Sequence, residues 1–232
     1  MVTIHRRTDK LPTGALLASV GGFLDAYTLT RHGVFANLQS GNVVLFCVQV
    51  TSRHWHAAAL RLVPVAAFII GALAVELLGT PRAVTIVRRP IRLVLTIEIA
   101  LLTALAALPG DVPAPVTTVT VSFVAALQFS TFTTLDGAPY ATLMTTGNLR
   151  QCVVAVHQCL TRRDRASARR AQLYGVIVAA FSSGALVGVI CTRRFGEPAI
   201  AVAAGLLLGV LALLIRESRQ WERASGEASA NT

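Results

Sequence analysis

Charge is scarce in this chain. Only 14% of its 232 residues are Asp, Glu, Lys or Arg, where a soluble domain carries about 25%. Lysine is almost missing: 20 of the 21 basic residues are Arg, and Lys10 stands alone. The four cysteines, Cys47, Cys152, Cys159 and Cys191, show no CxxC spacing. That excludes a disulfide framework or a cysteine metal site and leaves them as small buried side chains. No GxSxG, HExxH or P-loop pattern occurs, and no two carboxylates stand in a hydrolytic arrangement. Neither a catalytic centre nor a metal or cofactor site is expected. His32, His54, His56 and His157 do not share one helix face at ligand spacing and read as loop residues.

Apolar residues are abundant instead, at 54% of the chain with a mean hydropathy of +0.63. They fall in eight blocks, roughly 12–30, 34–51, 57–79, 91–109, 114–135, 139–160, 171–192 and 198–215. Most are long enough to cross a hydrocarbon core about 30 Å thick. The first follows His5-Arg6-Arg7 and Lys10 in the manner of a signal peptide, but it carries Asp25 and no small-residue cleavage site stands out. It reads as a retained first membrane helix. Pro64 lies inside the third block, which membrane helices tolerate. The small, polar residues 222–232 read as a disordered tail. A net charge of +10 would suggest nucleic acid in a soluble protein. Here the arginines lie mostly between the blocks, where they orient loops, so the expected partner is the lipid bilayer and not nucleic acid.

The second and sixth blocks are broken. One reads Phe35-Ala36-Asn37-Leu38-Gln39-Ser40-Gly41-Asn42 before its apolar run. The other reads Thr142-Leu143-Met144-Thr145-Thr146-Gly147-Asn148 before Leu149. Gly41-Asn42 and Gly147-Asn148 are 106 residues apart, and Phe23 and Phe129 keep that offset. Phe68-x-x-Gly71-Ala72-Leu73 matches Phe181-x-x-Gly184-Ala185-Leu186 at an offset of 113. The chain therefore reads as one membrane domain of two halves, about 12–109 and 114–215, an arrangement common in transporters.

Charge chooses between two topologies. If all eight blocks span, 13 basic residues fall inside and seven outside. If blocks two and six are re-entrant, the count is 15 to five, closer to the positive-inside bias. The second arrangement is an all-α membrane protein of about six transmembrane helices plus two re-entrant segments, arranged as inverted repeats. Both short helices would then begin near the midplane at the Gly-Asn pairs. Ser40 and Thr146 would be caps or ligand hydroxyls. Exposed N–H groups there suit a carboxylate or anion, and Arg150 would strengthen that preference. The candidate solute-binding set is Asn37, Gln39, Ser40, Gly41, Asn42, Thr146, Gly147, Asn148 and Arg150. Asp25 is the coupling carboxylate, or a structural one paired with Arg150. Glu76 and Glu98 read as snorkelling residues or partners of arginines 82–92. Asp136, before Gly137, reads as a turn residue.

The run Gly22-Phe23-Leu24-Asp25-Ala26-Tyr27, then Gly33 to Val44, with Met144-Thr145-Thr146-Gly147-Asn148-Leu149 as a second signature, resembles the YoaK-like family of bacterial membrane proteins. The resemblance covers about residues 12–215. It implies a multi-pass protein of the cytoplasmic membrane with six or seven helices, and no settled activity. Ser40 stands where that family usually has Thr, which keeps the hydroxyl. Three functions compete: a small-solute transporter or channel, an anionic solute and proton coupling both fitting its site; a scaffold or partner subunit docking through the basic 162–170 loop; and, last, an enzyme acting on lipid. Termini on the cytoplasmic side follow from the charge count, and a homo-oligomer is compatible with all three.

Overall fold

The computed structural model describes residues 10–87, 89–109 and 112–230, with Arg162 and 221–230 described by backbone alone. The arginines at 6, 7 and 88 lie outside the described residues. The chain is all-α apart from one tiny hairpin, and every apolar block contains a helix. These are α1 (Leu11–His32), α2 (Gln39–Thr51), α3 (Trp55–Leu78), α4 (Pro81–Ile86), α5 (Pro90–Ala106), α6 (Ala114–Thr131), α7 (Thr145–Arg162), α8 (Arg165–Phe195) and α9 (Ala201–Ala230). A 3-10 turn, Glu197–Ile200, leads into α9. Strands β1 (Thr134–Leu135) and β2 (Ala138–Pro139) pair antiparallel.

Local chemistry explains the boundaries. α1, α4, α5 and α6 carry proline in their first turn, where its missing N–H costs nothing. α1 stops at Gly33, which takes the left-handed conformation at φ 64°. Asp136 and Gly137 both have positive φ, 51° and 75°, as a two-residue hairpin turn requires. Two expectations are corrected. Helix α9 continues to Ala230 instead of dissolving from Glu222. The basic 162–170 stretch is no loop: α7 ends at Arg162 and α8 begins at Arg165, capped by Asp164 accepting the Ser167 N–H at 2.7 Å.

Contacts set the helix directions. Ser19 bonds Ala180, Gly22 packs on Phe181 and Ala185, Gly188 on Phe23 and Ala26, and Tyr27 bonds Glu197. The numbers rise together, so α1 and α8 are parallel. Gly71 meets Phe123 and Ala126, and Val75 and Leu78 share a small apolar cavity with Ser130 and Thr131, so α3 and α6 are parallel. Gln128 bonds Leu17, and Leu135 packs on Gly14. Those numbers run oppositely, so α1 and α6 are antiparallel. Arg92 bonds Ser218 while the turn at 197–200 also packs on α5, which makes α5 and α9 antiparallel. Six helices, α1, α3, α5, α6, α8 and α9, therefore alternate in direction along the chain. Four of the helical segments, 55–78, 114–131, 165–195 and 197–220, are long and apolar enough to cross a membrane. α5, at 17 residues, falls just short of that length, and α1 is more polar.

The neighbour pattern has a twofold character. α1 packs on α8 as α6 packs on α3; α2 on α3 as α7 on α8; α1 on α9 as α6 on α5. Glycines permit the closest crossings. A Cβ at Gly184 would lie 2.6 Å from Ser19 Cα, and one at Gly71 would lie 2.8 Å from Phe123 O. Each of the two matching Phe-x-x-Gly-Ala-Leu segments thus puts a glycine at a close crossing, where the missing side chain lets backbones touch. The bundle core lies between α1, α5, α6 and α9, around Phe23, Leu24, Tyr27, Leu95, Leu102 and Leu207.

Candidate functional site

The two broken blocks interrupt the alternation. After α1 the chain folds back through residues 33–38, and Asn37 Nδ2 donates to Gly21 O at 3.3 Å. Gly21 is the middle of the 22-residue α1. The segment has therefore returned to the middle of α1 before α2 begins at Gln39. Since α1 and α3 run oppositely, α2 must lead back to the end where α1 finished. At 13 residues, it is about 20 Å long, too short to cross. In the second half the hairpin and residues 140–144 come to the same place. Thr142 O lies 2.7 Å from where a Gly21 Cβ would stand. α7 starts at Thr145, 106 residues after the start of α2.

The Gly-Asn pairs act differently from a pair of opposed helix ends. Both helices start two residues earlier than those glycines. Their N-caps are Leu38 and Met144 with no side-chain cap bond, so Ser40 and Thr146 do not cap, and both are exposed. Asn42 and Asn148 are buried and each clips the loop seven residues back. Asn42 Nδ2 donates to Phe35 O at 3.2 Å. Asn148 Nδ2 donates to Ala141 O at 2.7 Å, and its Oδ1 accepts the Ala141 N–H at 3.3 Å. Gln39 completes the first clip, donating to Ala36 O at 2.6 Å and accepting from Asn42 at 3.0 Å. Nothing of the other segment lies within 4 Å of the Cβ position of Gly41 or Gly147. The parts that do meet around Gly21 are Asn37 and Thr142-Leu143.

A polar stripe runs along one face of α1 through this point. Tyr140 Oη donates to Gly14 O at 2.5 Å, Gln128 Nε2 to Leu17 O at 3.0 Å, and Asn37 Nδ2 to Gly21 O. The Asn37 backbone N–H faces the Asp25 carboxylate, and the Ala36 N–H donates to Thr28 Oγ1 at 3.3 Å. Positions 14, 17, 21, 25 and 28 recur at three and four residues, which places them on one face; together they cover about 21 Å of helix. Asp25 Oδ1, Asn37 Oδ1, Gln128 Oε1 and Thr142 Oγ1 are buried without a hydrogen-bond partner. Such groups are rare in native interiors and mark sites that take a ligand or water.

Other sequence candidates lie elsewhere. Arg150 is exposed on α7, and among the described residues no ion pair joins it to Asp25. Glu76 is exposed on α3, whereas Glu98 is fully buried with both oxygens unpartnered. Glu98 therefore neither snorkels nor pairs with an arginine. His32 is half-buried, 4.0 Å from Glu197. Cys47 is exposed, not buried.

Sequence reading passed over Gln128, Ser122 and Tyr140, although a glutamine inside an apolar block is itself a signal. It also missed Glu197, whose buried carboxylate takes the Tyr27 hydroxyl at 2.5 Å and Arg31 at 2.9 Å. Glu197 sits between two blocks, and only the fold brings it to α1.

Over residues 13–213 the chain matches the family described as Protein of unknown function (DUF1275). Neither a curated protein nor a solved structure matches it.

Proposed function

The chain belongs to that family of unknown function, and from its geometry we propose that it is a six-crossing membrane protein of two inverted halves, passing a small solute through a midplane site on α1. One observation carries the reading: two chain segments break and turn back at the same point, the middle of a helix that presents a polar stripe. Non-helical backbone at membrane depth is tolerated only where protein or a water-filled cavity covers it. Equivalent helices α1 and α6 run oppositely, which is the relation inverted repeats require.

Charge supports the orientation. The end holding Lys10, Glu217, Arg92 and the α7–α8 turn also collects most of the arginines, while the opposite end has Arg31, Arg53, Arg61, Arg193 and Arg194. By the positive-inside bias the first end, with both termini, is cytoplasmic. Docking of a partner through residues 162–170 is the weaker reading, since those arginines sit on helix ends joined by a two-residue turn.

The test is a Thr142→Cys variant in a background with the four native cysteines replaced by alanine, reconstituted in vesicles. Membrane-impermeant thiol reagents should reach it from each face in turn. Labelling from neither face removes the pathway and the reading with it.

A further inference from the structure

We propose that the cytoplasmic end of α9 carries a docking groove for one anionic phospholipid, its phosphate held by Arg216 and Arg219 and an acyl chain laid over Ala212 and Ile215. The inference uses the crossing of the membrane by α9 and stands apart from the solute pathway.

The groove is open, about 520 Å³ in volume, and is lined by Ala212, Ile215, Arg216, Arg219 and Gln220. These positions recur at three and four residues and so share one face of α9. The chemistry of that face changes along the helix: two apolar side chains come first, then two guanidinium groups and an amide. Arg216 and Arg219 are exposed, and neither has an ion pair among the described residues. The neighbouring carboxylate, Glu217, pairs with Lys10 at 3.2 Å.

Depth matches a lipid. The segment 197–220 is long and apolar enough to cross a membrane. Gly21 is the middle of α1. Five residues nearer the start of α1, Leu16 Cδ1 lies 3.9 Å from the Cβ position of Gly209. α9 runs opposite to α1, so residues after Gly209 lie progressively further from that middle. At about 1.5 Å per residue, Ala212 stands about 12 Å from it, Ile215 about 16 Å, Arg216 about 18 Å and Arg219 about 22 Å. The hydrocarbon half-thickness is about 15 Å, and headgroups reach to about 20–22 Å. The apolar pair is therefore at the depth where acyl chains begin, and the arginines are among headgroups. Guanidinium forks suit phosphate oxygens. The cation of a zwitterionic headgroup would meet two arginines and no carboxylate of the groove lining, which selects a lipid of net negative charge. Basic pockets on the cytoplasmic side of membrane helices bind such headgroups.

The experiment uses full-length protein in detergent micelles with added dioleoyl phosphatidylglycerol or dioleoyl phosphatidylcholine, and counts retained lipid by native mass spectrometry. One phosphatidylglycerol, held in preference to phosphatidylcholine, is expected. Arg216→Gln and Arg219→Gln should each weaken retention about fivefold, the factor for one basic residue near an anionic surface. Exposed Arg170→Gln removes the same charge near the start of α8, at the same end, and should leave retention unchanged. Ala212→Trp keeps both charges, fills the groove and should weaken it. Each variant is first required to elute as the wild type does. The inference is overturned if the two lipids are held equally, or if Ala212→Trp retains lipid as before. Arg170→Gln weakening retention as much as the groove variants also overturns it, because surface charge alone then attracts the lipid. Displacement of the lipid by inorganic phosphate at equal concentration does so too, since a free anion is then the ligand. Lipid retention with Thr142→Cys labelled from neither face would keep the groove and sink the pathway. Labelling without lipid retention would do the reverse.

Discussion

A methyl group added at Gly184 should be among the costliest single changes in this protein. The α1–α8 crossing brings Gly184 so near Ser19 that a Cβ would stand 2.6 Å from Ser19 Cα and 2.7 Å from its carbonyl carbon. Its carbonyl oxygen is nearer still, at 2.1 Å, and ordinary contact needs at least 3.4 Å, so the helices must part by about 1.3 Å. Overpacking of this kind costs about 1–3 kcal/mol. The separation also stretches the Ser19 hydroxyl bond to Ala180 O, 3.0 Å in the native crossing, worth about 0.6 kcal/mol between membrane helices. A total near 3 kcal/mol is expected for Gly184→Ala, roughly a hundredfold in the folding equilibrium. Gly205 on α9 is the control. Nothing lies within 4 Å of its Cβ position, and alanine there gains about 1 kcal/mol of helix propensity. Thermal denaturation in detergent, followed by loss of the monodisperse elution peak, measures both. The two substitutions should move stability in opposite directions. Equal effects would refute the close crossing at Gly184.

Removing either asparagine clip, Asn42→Ala or Asn148→Ala, should lower stability by about 1–2 kcal/mol through lost buried bonds, since each side chain makes two; the same denaturation assay reads it, and no change in either would remove the clip. Glu197→Ala should cost about 2 kcal/mol, below the 3–5 kcal/mol of a fully buried pair because the Arg31 side chain is 30% exposed; an Arg31→Ala/Glu197→Ala double-mutant cycle showing no coupling would dismiss the pair. Cysteines placed at Arg53 and Arg163, at the turns that follow α2 and α7, should label from opposite faces of sealed vesicles; labelling from one face would mean that both helices cross.

How much was legible in the sequence varied with the range of the interaction. Each apolar block became a helix because burial of a continuous apolar run needs no partner to be read. The breaks were visible as the polar, glycine-containing stretches 35–42 and 142–148. What the Gly-Asn pairs do was not visible. They suggest opposed helix ends, yet the asparagines turn inward to hold their own loops. That depends on where the helix starts, and two residues decide it.

By itself, then, the sequence determined a helical, membrane-like chain and the positions where its apolar blocks break, because hydropathy and composition act locally along the chain. Only the tertiary structure decided which way each helix points and what meets at the centre. Direction follows from pairs distant in sequence, such as Leu17 with Gln128 and Arg92 with Ser218. The polar stripe on α1 likewise draws Asn37, Gln128, Tyr140 and the Thr142 backbone from separate stretches. Their approach is set by glycine contacts between helices, which no single stretch of sequence can encode.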